Sequence, residues 1–190
     1  MAIADKTHRN NNKGLPKYER AAILKKAAEI IKGKATELAL LIASEGGKPL
    51  IDTKFEVRRA IDGIETCASK IANNSGVEIP MDLTPAGVGK MVFTIKEPIG
   101  PVVAISAFNH ALNLIVHQVG PAVAAGNLVI FKPADDAPLC CEAFIKILYQ
   151  AGLAPGWAQF ICCDVSVTQK LVTDERVAFF SFIGSSVVGW

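Results

Sequence analysis

The feature that most constrains this chain is an alternation that begins at Pro98. Short apolar runs rich in β-branched residues alternate with longer amphipathic stretches, and turn residues separate them. Pro101 to Ser106 reads as a strand, and Leu112 to Ala125 as a helix stopped by Gly126 and Asn127. Leu128 to Phe131 is the next strand, followed by a helix from Pro138 to Ala151 that Gly152 closes. Ala158 to Cys163 and Val177 to Ile183 read as further strands around a short helix, Ser166 to Thr173. Gly184, Ser185 and Ser186 then open another helix. Continuously apolar strands need cover on both faces. The pattern therefore predicts an α/β fold: a Rossmann-like parallel sheet with helices on both faces and right-handed crossovers.

The part before Pro98 has a different period. Apolar positions recur at helical spacing through Ala21, Ile23, Leu24, Ala27, Ala28 and Ile31, predicting a helix from Tyr18 to Ser44. Pro16 suits its start, Gly46 and Gly47 its end, and Gly33 is a candidate break. Thr53 to Ala72 repeats the period through Phe55, Val57, Ile61, Ile64 and Ile71. Val77 to Pro80 and Gly89 to Ile95 flank a loop with Pro, Gly and Asp, and predict a hairpin arm that leaves the main body. The expected division is a flexible tail over 1–14, a helical part over 15–76, a hairpin or oligomerisation arm over 77–97 and an incomplete Rossmann-like core over 98–190.

Composition excludes several classes. At 51% hydrophobic, 20% charged and net charge +2, the chain is neither disordered nor a strongly basic nucleic-acid binder. Met1 to Gly14 is polar and lacks the apolar core of a secretory signal, and no run of about 18 apolar residues occurs, so no membrane partner is expected. Five cysteines, as two adjacent pairs and one single, match neither a disulfide framework nor zinc spacing. They read as reduced thiols of a cytoplasmic protein, with no metal site.

In such a sheet, ligands bind beyond the carboxyl ends of the strands. The first strand leads into Ala107, Phe108, Asn109 and His110, the second into Lys132, Pro133, Ala134 and Asp135, the third into Asp164. The fourth leads into Gly184 and Ser185. Asn109 offers an amide N–H that can stabilise an oxyanion, or it caps the following helix. Lys132 and Asp135 can grip an adenosine ribose, the acid favouring NAD over NADP, or they are ordinary loop residues. Gly184 to Ser186 can hold a pyrophosphate at a helix start, or form an ordinary capped turn. His110 and His117 have no acidic partner nearby in sequence and read as structural.

Together these loops resemble the NAD(P)-dependent aldehyde dehydrogenase superfamily. The resemblance rests on Glu97 to Asn109, on Leu112 to Leu114, on Gly120 to Asn127 and on Lys132 to Asp135. Ala151 to Gly156, Phe180 to Ser186, Glu19 to Leu24 and Ser44 to Pro49 extend it from about Leu15 to Trp190. It implies the N-terminal, cofactor-binding part of such an enzyme, using NAD or, as the alternative, NADP. Asn109 matches the oxyanion-hole asparagine. Ser106, Ala107 and Phe108 lie along the cofactor path, Lys132 and Asp135 match the ribose contacts, and Gly184 and Ser185 match the pyrophosphate turn. The hairpin resembles the arm of family homo-oligomers. Ala107 and Ala111 stand where the family often has prolines, His110 replaces a frequent aromatic, and Cys162 to Val165 replace a glycine-containing loop.

The family oxidises an aldehyde to an acid through a cysteine thiohemiacetal. It places the nucleophilic cysteine and a glutamate base after the Gly-Ser turn, and no cysteine here has that context. Without a thiolate no hemithioacetal forms and no hydride leaves. The expectation is a truncated family segment, inactive alone. The alternative is a non-catalytic nucleotide-binding or self-associating module.

Overall fold

The computed structural model describes residues 1, 2, 4, 7 and 14–189. Most of the tail expected over 1–14, and Trp190, lie outside the described residues.

Helix α1 runs Lys17–Gly33, α2 runs Ala35–Gly46 and α3 runs Leu50–Lys70. The break expected at Gly33 is realised, so α1 and α2 are separate helices where the period alone ran through. Gly47, with φ of +63°, ends α2 in the left-handed conformation that glycine adopts without a Cβ penalty. Helix α3 begins at Leu50, three residues earlier than Thr53, because Pro49 leaves the first helical turn to its carbonyl: Asp52 and Thr53 N–H both donate to Pro49 O. The hairpin pairs β1 (Glu78–Ile79) with β2 (Val92–Phe93), in register Glu78↔Phe93 and Ile79↔Val92. Its apolar side chains stay in solvent: Leu83 is 81% exposed and Met91 82%.

The alternating part contains β3 (Val102–Ile105), α4 (Ala111–Ala125), β4 (Val129–Lys132) and α5 (Pro138–Ala151). Then follow β5 (Ala158–Phe160), α6 (Val165–Val172), β6 (Phe179–Phe182) and α7 (Ser186–Gly189). The sheet order is β5-β4-β3-β6 and every pairing is parallel. The chain winds outward from β3 to β5, then returns to lay β6 on the other side of β3. That reversal is a topological switch point. β5 stops at Phe160, short of Cys163. Its last ladder bond runs from Ile161 N–H to Phe131 O, and the Asp164 carboxylate then starts α6.

Packing explains the apolar strands. Val103, Ala104, Val129 and Phe131 are fully buried, sealed by Leu112, Ile115, Phe144 and Leu148 of α4 and α5. Helices α1, α2 and α3 pack on α4 and α5 and complete that layer. β6 is less covered, with Phe179 54% and Phe180 39% exposed, and it pairs only with β3 among the described residues. Among the described residues no helix is long and apolar enough to cross a membrane.

Candidate active and cofactor site at the strand ends

Register brings the expected loops together. Ile105 lies beside Lys132 on one side and Phe182 on the other. Ser106 N–H donates to Lys132 O at 3.2 Å, and Ile183 N–H donates to Ile105 O at 2.9 Å. The segments 106–109, 133–136 and 183–186 therefore leave one edge of the sheet together, with the switch point between the first and last.

Ser106 is 6% exposed, and its hydroxyl oxygen has no hydrogen-bond partner within the described residues. Such a group carries a desolvation cost until a ligand or water meets it. Phe108 is 59% exposed, Ala107 is half-buried and Asn109 exposed. At the end of β4, the Lys132 ammonium meets the Asp135 carboxylate at 2.6 Å. Lys132 is 12% exposed and Asp135 78%, so the pair presents its acid outward. At Gly184 a Cβ would come within 2.5 Å of the Phe182 ring. A side chain there would have to displace the Phe182 ring.

The helix starts around this edge are not equivalent. Glu56 of α3 accepts the N–H groups of Leu112 (3.0 Å) and Asn113 (3.3 Å), in the first turn of α4. Glu45 of α2 accepts Leu139 N–H and, at 3.1 Å, Cys140 N–H, in the first turn of α5. Asp164 accepts Val167 N–H at 3.0 Å in α6. That bond, with the Ser166 hydroxyl, holds its carboxyl below the usual carboxylate range. Carboxylates thus occupy the positive ends of α4, α5 and α6. Among the described residues, none caps α7, which follows Gly184 and Ser185.

Sequence reasoning missed Lys48 and Glu56. The Lys48 ammonium donates to Glu56 Oε2 at 2.6 Å and to Asn109 O at 2.8 Å, and lies 3.2 Å from His110 Nδ1. His110, expected to lack an acidic partner, has Nδ1 3.4 Å from Glu56 Oε2. The partner comes from α3, distant in sequence but adjacent in space. One signal was available: Thr53, Glu56, Val57 and Ala60 share the buried face of α3, and a carboxylate on such a face must find donors.

The cysteines differ in burial. Cys140 is buried, and its contact with Cys141, then burial, push its thiol well up. Cys141 Sγ donates to Ala111 O at 3.6 Å. Burial also raises Cys67, between α3 and α4. Cys162 is exposed near Lys132 and Asp135; partial burial raises it, while Lys132 opposes that.

Strand order and loop cluster define a doubly wound α/β domain, the class in which ligands bind beyond the carboxyl ends of the strands at the switch point, here between β3 and β6. Comparison with known proteins sharpens this class. The model of the aldehyde dehydrogenase family matches residues 1–190. The 3-sulfolactaldehyde dehydrogenase of Priestia aryabhattai is 36% identical over 173 residues, covering 90% of this chain and 36% of that protein. The lactaldehyde dehydrogenase of Methanocaldococcus jannaschii is 35% identical over 182 residues, 93% of this chain and 38% of that protein. Among solved structures, aldehyde dehydrogenase 21 of Physcomitrella patens, in complex with the product succinate, superposes with a TM-score of 0.94. It is 32% identical, over 100% of this chain and 39% of that one. The glyceraldehyde-3-phosphate dehydrogenase GapN of M. jannaschii, complexed with NADP, gives 0.89 at 33% identity, over 99% and 41%. The chain belongs to the aldehyde dehydrogenase family. It spans well under half the length of these relatives.

Proposed function

We propose that this chain is the cofactor-side part of an NAD(P)-dependent enzyme that oxidises an aldehyde to a carboxylic acid. The observation that carries the reading is the switch point between β3 and β6. There the orphan Ser106 hydroxyl, the Asn109 loop and the uncapped Gly184–Ser185 turn leave the same edge of the sheet.

The residues fit a dinucleotide. Lys132 and Asp135 bond the adenosine ribose hydroxyls, and the outward acid disfavours a 2′-phosphate, hence NAD before NADP. With α4, α5 and α6 already capped by carboxylates, the pyrophosphate has the turn at Gly184 and Ser185. Ser106, Ala107 and Phe108, which join β3 to Asn109, would help to hold the bound cofactor, and its nicotinamide would supply a hydride acceptor. The Asn109 side-chain amide donates to the aldehyde oxygen as a nucleophile adds and charge grows there. Both complexes named among the relatives, with NADP and with succinate, support this class of chemistry.

The nucleophilic cysteine and the glutamate base are read as absent from this chain. The buried Cys140 and Cys141 and the half-buried Cys67 support that, since a thiolate is what attacks. Their free state supports a reducing, cytoplasmic setting. Calorimetric titration of the purified chain with NAD and NADP tests the cofactor reading. Heat with NAD is expected, and silence at millimolar cofactor would refute it. No reduced nicotinamide is expected when an aldehyde is added, and its appearance would sink the inactive part.

A second reading is a non-catalytic, self-associating module. The exposed hairpin residues Leu83, Val88 and Met91 and the open edge of β6 favour homo-oligomers. Light scattering decides it, and a clean monomer at high concentration would refute it.

A further inference from the structure

The Lys48 ammonium donates to Glu56 Oε2 at 2.6 Å and to Asn109 O at 2.8 Å, and His110 Nδ1 lies 3.2 Å from it. Glu56 is fully buried, and its other oxygen accepts the N–H groups of Leu112 and Asn113. One side of the Asn109–His110 peptide is thus tied to α3 through Lys48, and the helix that follows is tied to α3 through Glu56. Lys48 itself is only 19% exposed, so its bonds act in a partly desolvated setting.

Among the described residues Asn109 makes no other hydrogen bond. Its side chain is exposed, and nothing in β3 or α4 clamps it. An exposed loop residue of this kind samples many orientations, whereas an oxyanion donor must sit within a few tenths of an ångström of the developing charge.

We propose that Lys48, held by Glu56, is the positioning residue for Asn109: by pinning the Asn109 carbonyl it narrows the orientations open to the side-chain amide before substrate arrives. This rests on the reading of Asn109 as the oxyanion donor. It gives Lys48 a part in the chemistry without contact with substrate.

Two nuclear magnetic resonance measurements on the full chain test it. In the unaltered protein, the Lys48 ammonium nitrogen is expected to show an across-bond coupling to the Asn109 carbonyl carbon. Its absence overturns the proposal, and no variant is needed. In Lys48→Met, the Asn109 and His110 amides are expected to fall from an order parameter of about 0.85 to below about 0.6. The amides of Ile115 and Val119, deep in α4, stay rigid. A purely structural lysine would instead lower stability and leave the loop as ordered as before. Unchanged Asn109 and His110 amides in Lys48→Met therefore overturn the proposal. Failure of the oxyanion reading looks different: the loop would still loosen, but Asn109→Ala in a catalytically complete enzyme carrying this segment would leave turnover unchanged.

Discussion

The carboxylate of Glu56 and the guanidinium of Arg20 sit at opposite ends of α4. Glu56 accepts Leu112 and Asn113 N–H at the positive end, and Arg20 Nη1 donates to Ala124 O at the negative end. Each charge lies where the helix dipole favours it. Both come from the layer formed by α1 and α3, so that layer fixes the axis of the helix that follows the Asn109 loop.

Removing Glu56 therefore costs more than one hydrogen bond. Glu56→Leu strands the N–H groups of Leu112 and Asn113 and deprives Lys48 of its partner. The expected loss is about 3 kcal/mol, the scale for breaking a buried charge pair on one side. Urea unfolding followed by circular dichroism measures it, and a loss under about 1 kcal/mol, the scale of an exposed pair, would contradict the burial argument.

Gly126 ends α4 with φ of +89°, and a Cβ there would approach Arg20 Nη1 to 2.7 Å and Pro98 Cγ to 3.0 Å. Gly126→Ala combines left-handed strain with displacement of the Arg20 cap. A destabilisation of about 2 kcal/mol is expected, read as a lower thermal midpoint.

Acid should weaken α6 and the segment that joins it to β6. Arg176 beside Asp174 holds its carboxyl down to about 2, against an ordinary 3.8, helped by the Arg176 backbone N–H. Asp164 is lowered by the Val167 N–H and the Ser166 hydroxyl. Both folded values lie below the unfolded ones. Their contribution is thus complete above the unfolded value, near 3.8, and is lost as pH falls towards about 2. Thermal midpoints taken between pH 5 and pH 2 should drop in that window, and Asp174→Asn should drop less. Equal slopes for both proteins would reject the assignment.

Cofactor preference should turn on the outward acid at β4. Asp135→Ser is expected to shift the ratio of NAD to NADP affinity towards NADP by about tenfold, roughly 1.4 kcal/mol. Lys132→Met should weaken both cofactors together. Calorimetry reads the two effects separately, and an unchanged ratio in Asp135→Ser would remove the acid from the ribose site.

Thiol labelling gives a simple check of the packing. Cys162 is exposed, whereas Cys140 and Cys141 are buried. Cys162 should react first with a disulfide reagent in the native protein, and Cys140 and Cys141 only on unfolding. Early labelling of Cys140 would mean that α5 does not pack as described.

Much of the fold was legible because it depends on local chemistry. Apolar runs of strand length, helical spacing in Leu112 to Ala125, and the stops at Gly47, Gly126 and Gly152 act within a few residues of themselves. The strand-end loops with Asn109, Lys132, Asp135 and Gly184 were legible for the same reason, since each follows directly from the strand before it. Strand order was not: that β6 lies beside β3 rather than β5 depends on which edges bury Val103 and Ala104, a property of the assembled sheet. The partners of the helix starts were equally hidden. Glu56 meets Leu112 across 56 residues and Glu45 meets Cys140 across 95, and no period or turn signal reaches so far. By itself the sequence determined the elements, their order and the residues offered at the strand ends, because propensity and pattern act locally. Only the tertiary structure decided that Lys48 grips the Asn109 carbonyl, because an ammonium removed from water takes whichever acceptors folding brings within about 3 Å.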